Sequence, residues 1–289
     1  MNKPELPESF SDPDRYGIIG INRSDDYLYF WQRCDVHSIV GFPPIRKLFF
    51  WRVQPEIAES WERLKVQLIL DDELEHSHSI GFNLDHSKVV VHQNSHNRSP
   101  HLFLIDVNTL SIDRHQFPAL SDDSTWWQFS ETIIGWIAVG VAERQIQILQ
   151  LDEDDQNCWE CVLKIDVLRV HSIAFTKSEL YVLSEALDGK GKLRLLCYDL
   201  ECRLEDENSY DCSKQPVVQM LSGPENVYVS VESDCKKIDI YKMDLTSNYG
   251  TYRILRDVNF DKQNKLACSE KMVVICSNQT GRLQVYKLD

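Results

Sequence analysis

An all-β chain built from repeated four-stranded units is what this sequence predicts, and three observations predict it. Five stretches with one apolar pattern close on an aspartate, at Asp106, Asp152, Asp199, Asp244 and Asp289, in steps of 46, 47, 45 and 45 residues. Apolar residues sit six, four, three and one places before the closing position, less completely so before Asp106. A sixth copy lies upstream, with Leu48, Phe50, Trp51 and Val53 in the apolar columns and Gln54 in the closing place, 52 residues before Asp106. Between these stretches, apolar and polar residues alternate in short runs divided by turn residues, the mark of half-buried strands. A period of this size is one four-stranded blade per repeat. The expected fold is a six-bladed β-propeller of antiparallel blades over residues 16–289, with blades at about 16–70, 76–118, 124–166, 170–210, 216–258 and 264–289.

From the amino terminus onward, each element has its reason. Residues 1–15 precede the first repeat, while the last repeat stops at Asp289, where a third strand ends. An unpaired edge there needs a partner. Residues 5–10 are therefore expected to close the last blade as its outermost strand, where Pro7 is tolerated on the solvent side. In the first blade, Trp61 follows Gln54 by seven places and opens the fourth strand; Trp159 after Asp152 and Tyr252 after Asp244 hold the matching place. Large aromatics there are expected to pack between blades. The third blade reads as strands at 127–130, 133–139, 146–151 and 158–165. The fifth reads as 217–221, 227–231, 238–243 and 251–255, with turns at 222–226 and 248–250. A closing aspartate is expected to accept backbone N–H groups one or two residues on, which makes a turn and gives it a structural role. The first strand of each blade, at 18–21, 79–82, 127–129, 172–175, 217–220 and 266–268, reads as apolar and lacking charged groups, which favours binding over catalysis.

Composition narrows the function classes. Of 289 residues, 43% are hydrophobic and 26% charged, ordinary for one globular domain. Apolar runs fall far short of the roughly 20 residues that span a bilayer. The first residues lack the apolar core of a secretory signal, so a cytoplasmic or nuclear place is expected. Nine cysteines, an odd number, with Cys197, Cys268 and Cys276 in apolar columns, read as buried reduced thiols. A formal charge of −14 argues against nucleic acid, which needs a basic face. Acidic runs at 71–75, 152–155 and 205–207 read as solvated loops, or as a surface for a basic protein partner.

Three clusters could carry chemistry. His76, His78, His86, His92, His96 and His101 crowd one blade; His76 and His78 share a strand face, yet the region has no cysteine and the other four are expected on different strands and loops of that blade, so all read as loop and surface histidines rather than a metal site. Cys158 and Cys161 have a redox-pair spacing but lie in a strand, where residues three apart face opposite sides. The segment 188–192, with Gly189 and Gly191, reads as a hairpin tip. No metal, cofactor or catalytic residue is expected, and the chain is expected not to be an enzyme.

The stretches 102–110 and 240–246, each a strand with an aromatic that ends in Asp106 or Asp244 before a short polar turn, resemble the third-strand motif of kelch-type and F-box-associated propellers; Trp61 and Trp159 fit that family's fourth-strand tryptophan. No Gly-Gly pair and no Trp-Asp pair occurs, so the resemblance is to a diverged kelch-like type, with a WD-repeat-like propeller second. The resemblance implies a protein-protein interaction module, a monomeric disc acting as the recognition or scaffold part of an adaptor or ubiquitin-ligase complex. The alternative is a propeller hydrolase or lyase with a site in the central channel.

Overall fold

The computed structural model describes residues 15–22, 24, 26–36, 45–55, 57, 60–70, 78–83, 86–93, 101–116, 124–132, 135–142, 145–151, 159–167, 169–176, 179–185, 193–199, 204–210, 217–222, 226–234, 236–243, 251–260, 264–277 and 282–288. The expected strand at residues 5–10, and Asp152, Asp244 and Asp289, lie outside them.

Among the described residues the fold is nearly all β, in antiparallel sheets that each follow chain order. Sheet 1 comprises β1 (Tyr16–Ile21), β2 (Leu28–Val36), β3 (Ile45–Val53) and β4 (Glu62–Leu70). Sheet 2 comprises β5 (His78–Phe82), β6 (Lys88–Gln93), β7 (His101–Asp106) and β8 (Ile112–Gln116). Sheet 3 holds β9 (Ser124–Thr132), β10 (Gly135–Ala142), β11 (Gln145–Leu151) and β12 (Trp159–Asp166). Sheet 4 holds β13 (Val170–Phe175), β14 (Glu179–Glu185), β15 (Leu193–Asp199) and β16 (Leu204–Tyr210). Sheet 5 holds β17 (Val217–Ser222), β18 (Val227–Asp234), β19 (Lys237–Met243) and β20 (Thr251–Asn259). Sheet 6 has three described strands, β21 (Lys265–Cys268), β22 (Met272–Cys276) and β23 (Leu283–Lys287). Contacts group these into two compact units, one of sheets 1, 2 and 6 and one of sheets 3, 4 and 5.

Position in a sheet decides what each strand looks like. All five residues of β22 are buried: it is the central described strand of sheet 6, hydrogen-bonded to β21 and β23, with Met272, Val274 and Cys276 packed against sheet 1. In β4, an outer strand, Leu64, Val66 and Leu68 are buried while Lys65, Gln67 and Ile69 face solvent, the period of two that a half-buried strand imposes. Within the first unit β1 lies against both β5 and β21, and within the second β13 lies against β17. First strands are therefore the inner ones of each unit. The Ser172 hydroxyl fastens the second pair: it accepts from the Met220 N–H at 3.1 Å and faces the Met220 carbonyl at 3.3 Å.

Sheets bury apolar layers between them. Tyr29, Leu48, Phe50, Leu64 and Leu68 of sheet 1 pack with Val89, Val91 and Ile105 of sheet 2. On its other face sheet 1 sends Tyr16, Ile21, Leu28 and Phe30 against Ala267, Met272, Val274 and Leu283 of sheet 6. Sheets 3 and 4 share Ile146, Ile148, Phe175 and Val182, and sheets 4 and 5 share Tyr181, Leu183, Met220 and Val227. Two glycines in β1 allow close approach. A Cβ on Gly17 would sit 2.3 Å from the Trp31 indole nitrogen, and one on Gly20, whose φ is +153°, would sit 2.9 Å from the Phe82 ring.

Several sequence expectations are corrected. The inner strands reach further than their apolar cores, so they do carry titratable groups: Tyr16 in β1, His78 in β5, Glu131 in β9, His171 in β13 and Lys265 in β21. Pairing is made by the backbone, which continues past the last apolar side chain. For the same reason Glu205, Asp206 and Glu207 are part of outer strand β16, with Asp206 opposite Cys197, rather than a loop. His86 and His92, expected at the surface, are 5% and 2% exposed. Cys197, Cys268 and Cys276 are buried and outside any disulfide, and burial pushes the Cys276 thiol up to about 12. No helix among the described residues is long and apolar enough to cross a membrane.

Candidate functional site

Three hairpins of the first unit end side by side and enclose an open groove of about 480 Å³, lined by Ser24, Asp26, Gln54, Pro55, Ile57, Lys271, Met272, Lys287 and Leu288. Its floor is continuous with the layer between sheets 1 and 6, since Met272 belongs to both. Ile57 on the lip is 54% exposed, one of few large apolar side chains so placed among the described residues.

Each wall is held by a polar side chain bonded to its own turn. In the β1–β2 turn, Asn22 Oδ1 accepts from the backbone N–H groups of Asp26 and Tyr27 at 3.0 and 2.9 Å, while its amide donates to Ser24 Oγ at 2.8 Å. This is the turn chemistry that asparagine supplies locally. In the β3–β4 turn, Ser60 Oγ accepts from the Gln54 N–H at 2.8 Å and reaches the Ile57 carbonyl at 2.8 Å. The β21–β22 turn is held by Ser269, whose Oγ accepts from Met272 N–H at 3.2 Å, and the Leu288 N–H donates to the Lys271 carbonyl at 2.8 Å. A groove with walls fixed in this way loses little conformational freedom when something enters it.

Beside it an aromatic and charged network stiffens sheet 1. The Arg52 guanidinium lies 4.6 Å above the Tyr27 ring and meets Glu62 Oε2 at 2.7 Å through both Nε and Nη2. Gln54 Nε2 donates to the Tyr27 hydroxyl at 3.3 Å, which links the network to the groove. Burial raises the Tyr29 hydroxyl above its ordinary range, against the Arg52 hydrogen bond that lowers it.

The repeat positions fall as follows. Asp106 ends β7 and its Oδ1 accepts from the N–H groups of Asn108 and Thr109 at 2.8 and 2.7 Å, two and three residues on. The Thr109 and Asn108 bonds hold its carboxyl below the usual carboxylate range, against burial. Asp199 ends β15 opposite Glu179. Trp61 is half-buried against Phe30, ring centroids 5.0 Å apart, in the layer between sheets 1 and 6. Trp159 opens β12 opposite Leu151, and Tyr252 lies in β20 opposite Lys242. None of these lines the groove. The groove residues were missed because turn tips carry no period, although one signal existed: Gln54, the single departure from the closing aspartate, is in the lining.

Of the clusters singled out in the sequence, His86 has left-handed backbone (φ 55°), turns Nδ1 to the Ile21 carbonyl and stacks on Phe82 at 5.0 Å, an arrangement that ties sheet 2 to sheet 1. His101 is bonded to Arg114. His76, His96 and Cys158 lie outside the described residues, and Cys161 is exposed on β12. At the inner edge of the first unit, Lys265 donates to the Tyr16 carbonyl and stands 4.3 Å over the Tyr16 ring. Burial, then the neighbouring Cys276, pushes the Tyr16 hydroxyl up to about 12. In the second unit His171 Nε2 is 3.3 Å from Glu185 Oε1, with Arg169 at 3.7 Å from the same oxygen.

No family model matches the sequence, and no curated protein matches it. Solved structures do. The chain is similar to the SapL1 lectin in complex with alpha methyl fucoside, at 11% identity over 98% of this chain and 96% of that one, with a TM-score of 0.60. It is similar to AofleA from Arthrobotrys oligospora, at 9% identity over 100% and 90%, TM-score 0.56. A third is the β-propeller domain of the Trilobed protease from Pyrococcus furiosus, described as having an open velcro topology, at 10% identity over 93% and 80%, TM-score 0.52. With antiparallel four-stranded sheets in chain order, these likenesses define a β-propeller-like fold. At such identity they speak for fold alone; a lectin and a protease domain share it.

Proposed function

We propose that the chain is a non-catalytic protein-protein interaction module that docks a partner in the groove between the hairpins of sheets 1 and 6. One observation carries this reading: a preformed open groove on side-chain-fixed turns that combines exposed Ile57, half-buried Leu288 and buried Pro55 with Asp26, Lys271 and, at the end of β23, Lys287. Apolar area gives a partner its anchor and charges at the rim give register. The kelch-like and F-box-associated resemblance at 102–110 and 240–246 supports a role as the recognition or scaffold part of an adaptor or ubiquitin-ligase complex. The finer architecture belongs to the proposal too: six blades, the sixth completed by residues 5–10 pairing with the outer edge of β23.

The test is affinity purification of the tagged full chain from its own cells, beside Ile57→Asp. A stable partner with the parent chain and its loss with the variant is the expected result; recovery of chaperones alone with both would sink the reading. A second reading, a propeller hydrolase or lyase, is favoured by the pair of His171 on inner strand β13 with Glu185 at the end of β14, since a carboxylate oriented on an imidazole is the usual frame of a general base. Hydrolase activity in the purified chain that disappears with His171→Ala would establish it.

A further inference from the structure

Among the described residues, sheet 2 gives none to the groove lining, yet its β5–β6 turn grips the hairpin that forms one groove wall. His86 is 5% exposed and has left-handed backbone with φ 55°, a conformation that a residue with a side chain keeps where its surroundings fix it. Its Nδ1 faces the carbonyl of Ile21, the last residue of β1. A carbonyl only accepts, so Nδ1 carries the proton. The imidazole is seated on Phe82, with centroids 5.0 Å apart and planes at 12°. Phe82 in turn meets both strands of the β1–β2 hairpin: a Cβ on Gly20 would stand 2.9 Å from its ring, and the Tyr29 ring of β2 meets it at 5.3 Å and 78°. Ile21 is thereby held on two sides, its side chain in the layer shared with sheet 6 and its carbonyl by sheet 2. Asn22 follows it directly; its Oδ1 fastens the Asp26 and Tyr27 N–H groups, and the Tyr27 hydroxyl accepts from Gln54.

We infer that His86 is a positioning residue for the groove: its Nδ1–H, given to the Ile21 carbonyl, sets the β1–β2 wall against which a partner docks, an inference that rests on the interaction reading above. A shift at Ile21 passes through Asn22 to Ser24 and Asp26, and through Tyr27 to Gln54, so three lining residues move with it. Other first-hairpin turns are closed from within. Thr176 Oγ1 accepts from the Glu179 N–H at 3.1 Å and Ser269 Oγ from the Met272 N–H at 3.2 Å, each on its own turn. The β1–β2 turn has bonds of that kind through Asn22, and the imidazole adds an anchor from another sheet. A docking wall gains by this, because one already in its bound arrangement loses less freedom when the partner arrives. Buried as it is, His86 acts without touching the partner. Its donor and its ring do separate work, and asparagine separates them: it tolerates left-handed backbone and carries an amide donor at the same remove from the main chain, without the ring.

Nitrogen NMR of the purified full chain tests this first. A proton on His86 Nδ1 is expected, and a ring protonated on Nε2 alone would overturn the inference. Amide exchange then reads the wall. In His86→Phe, which keeps a stacked ring and removes the donor, the Asp26 and Tyr27 amides are expected to exchange about tenfold faster, the scale of one lost hydrogen bond. The Asn108 and Thr109 amides, in the β7–β8 turn of the same sheet 2, should keep the parent rate, and His86→Asn should restore the slow rate at Asp26 and Tyr27. No acceleration, equal acceleration in both turns, or no rescue by His86→Asn would each overturn the inference. Thermal melting checks that every variant is folded; His86→Leu replaces His86→Phe if the latter does not fold, and the NMR result depends on neither. Affinity purification from the protein's own cells separates the two levels. A partner recovered with the parent chain, reduced about tenfold with His86→Phe and regained with His86→Asn supports both. If exchange responds while recovery stays level, the positioning holds and docking in the groove falls; if the parent chain recovers no partner, the interaction reading falls alone, because exchange still decides the positioning.

Discussion

Two hairpins of the first unit occupy the same place in the repeat and are held shut by different chemistry. After β7, Asp106 binds its own turn through two backbone N–H groups. After β3 the closing residue is Gln54, which cannot do the same with a charged oxygen, and Ser60 holds the turn from its far side. The closing column is thus a turn-fastening column, and the fastening can be moved. Where it has moved, the side chain at the column is released: Gln54 reaches Tyr27 and lines the groove, while Asp106 remains occupied with its turn. A departure from the repeat marks the site better than conformity to it does.

The largest expected effect tests whether the two hairpins share a foundation. Phe50 is fully buried in the layer common to sheets 1 and 2, with Leu48, Val91 and Ile105 around it. Phe50→Ala should cost about 3–5 kcal/mol through lost transfer energy and the cavity left behind. Because that layer underlies β3 and β7 alike, hydrogen exchange should quicken in both hairpins together. Faster exchange confined to β3–β4 would show that they are independent and that the comparison between them is only formal.

A smaller pair of substitutions separates the two fastenings. Asp106→Ala and Ser60→Ala should each cost about 1 kcal/mol, the usual scale for a lost side-chain cap. Their dependence on pH should differ. The folded-state carboxyl of Asp106 titrates below its ordinary range, so its stabilisation is fully present above the unfolded value and is lost as pH falls through the folded one. The gap between parent and Asp106→Ala should close in acid, whereas the Ser60→Ala gap should persist, since a hydroxyl does not titrate there. Urea titrations at neutral and acid pH measure both, and a Ser60→Ala gap that also closed would mean the hydroxyl is not what fastens the turn.

The fold was legible because its signal is periodic. Apolar columns recur wherever a strand buries one face, so β7, β11, β15, β19 and β23 could be placed from the closing pattern alone. Strand ends were not legible: β13 begins at Val170 and β20 runs to Asn259 because backbone pairing resumes beyond the register shifts at His171 and at residues 256–257, where the side chains carry no pattern. Burial of His86 and His92 escaped for a related reason. A lone histidine looks polar in sequence, and partners such as the Ile21 carbonyl facing His86, from a strand 65 residues away, make its burial tolerable. The groove was the least legible part, since Ser24, Ile57 and Lys271 are brought together by three turns far apart in the chain.

The smallest effect on stability comes from restoring the repeat. Gln54→Asp gives the first hairpin the residue its column has elsewhere, in a turn that Ser60 already fastens, so stability should change by no more than about 0.5 kcal/mol. Its effect on binding should be larger. The substitution removes the amide that bonds Tyr27 and sets a second carboxylate on the wall that holds Asp26, on the far side from Lys271 and Lys287. Recovery of a cellular partner with Gln54→Asp beside the parent chain measures this, and a change of about threefold, the scale of one exposed charge pair, is expected. Combining Gln54→Asp with Ser60→Ala separates the two roles of the column. If the introduced carboxylate could take over the turn, the double variant would recover the stability that Ser60→Ala alone loses, and the column would be one device with two solutions. If it recovered nothing, the β3–β4 turn would be shaped for the groove, and its likeness to β7–β8 would end at the strands.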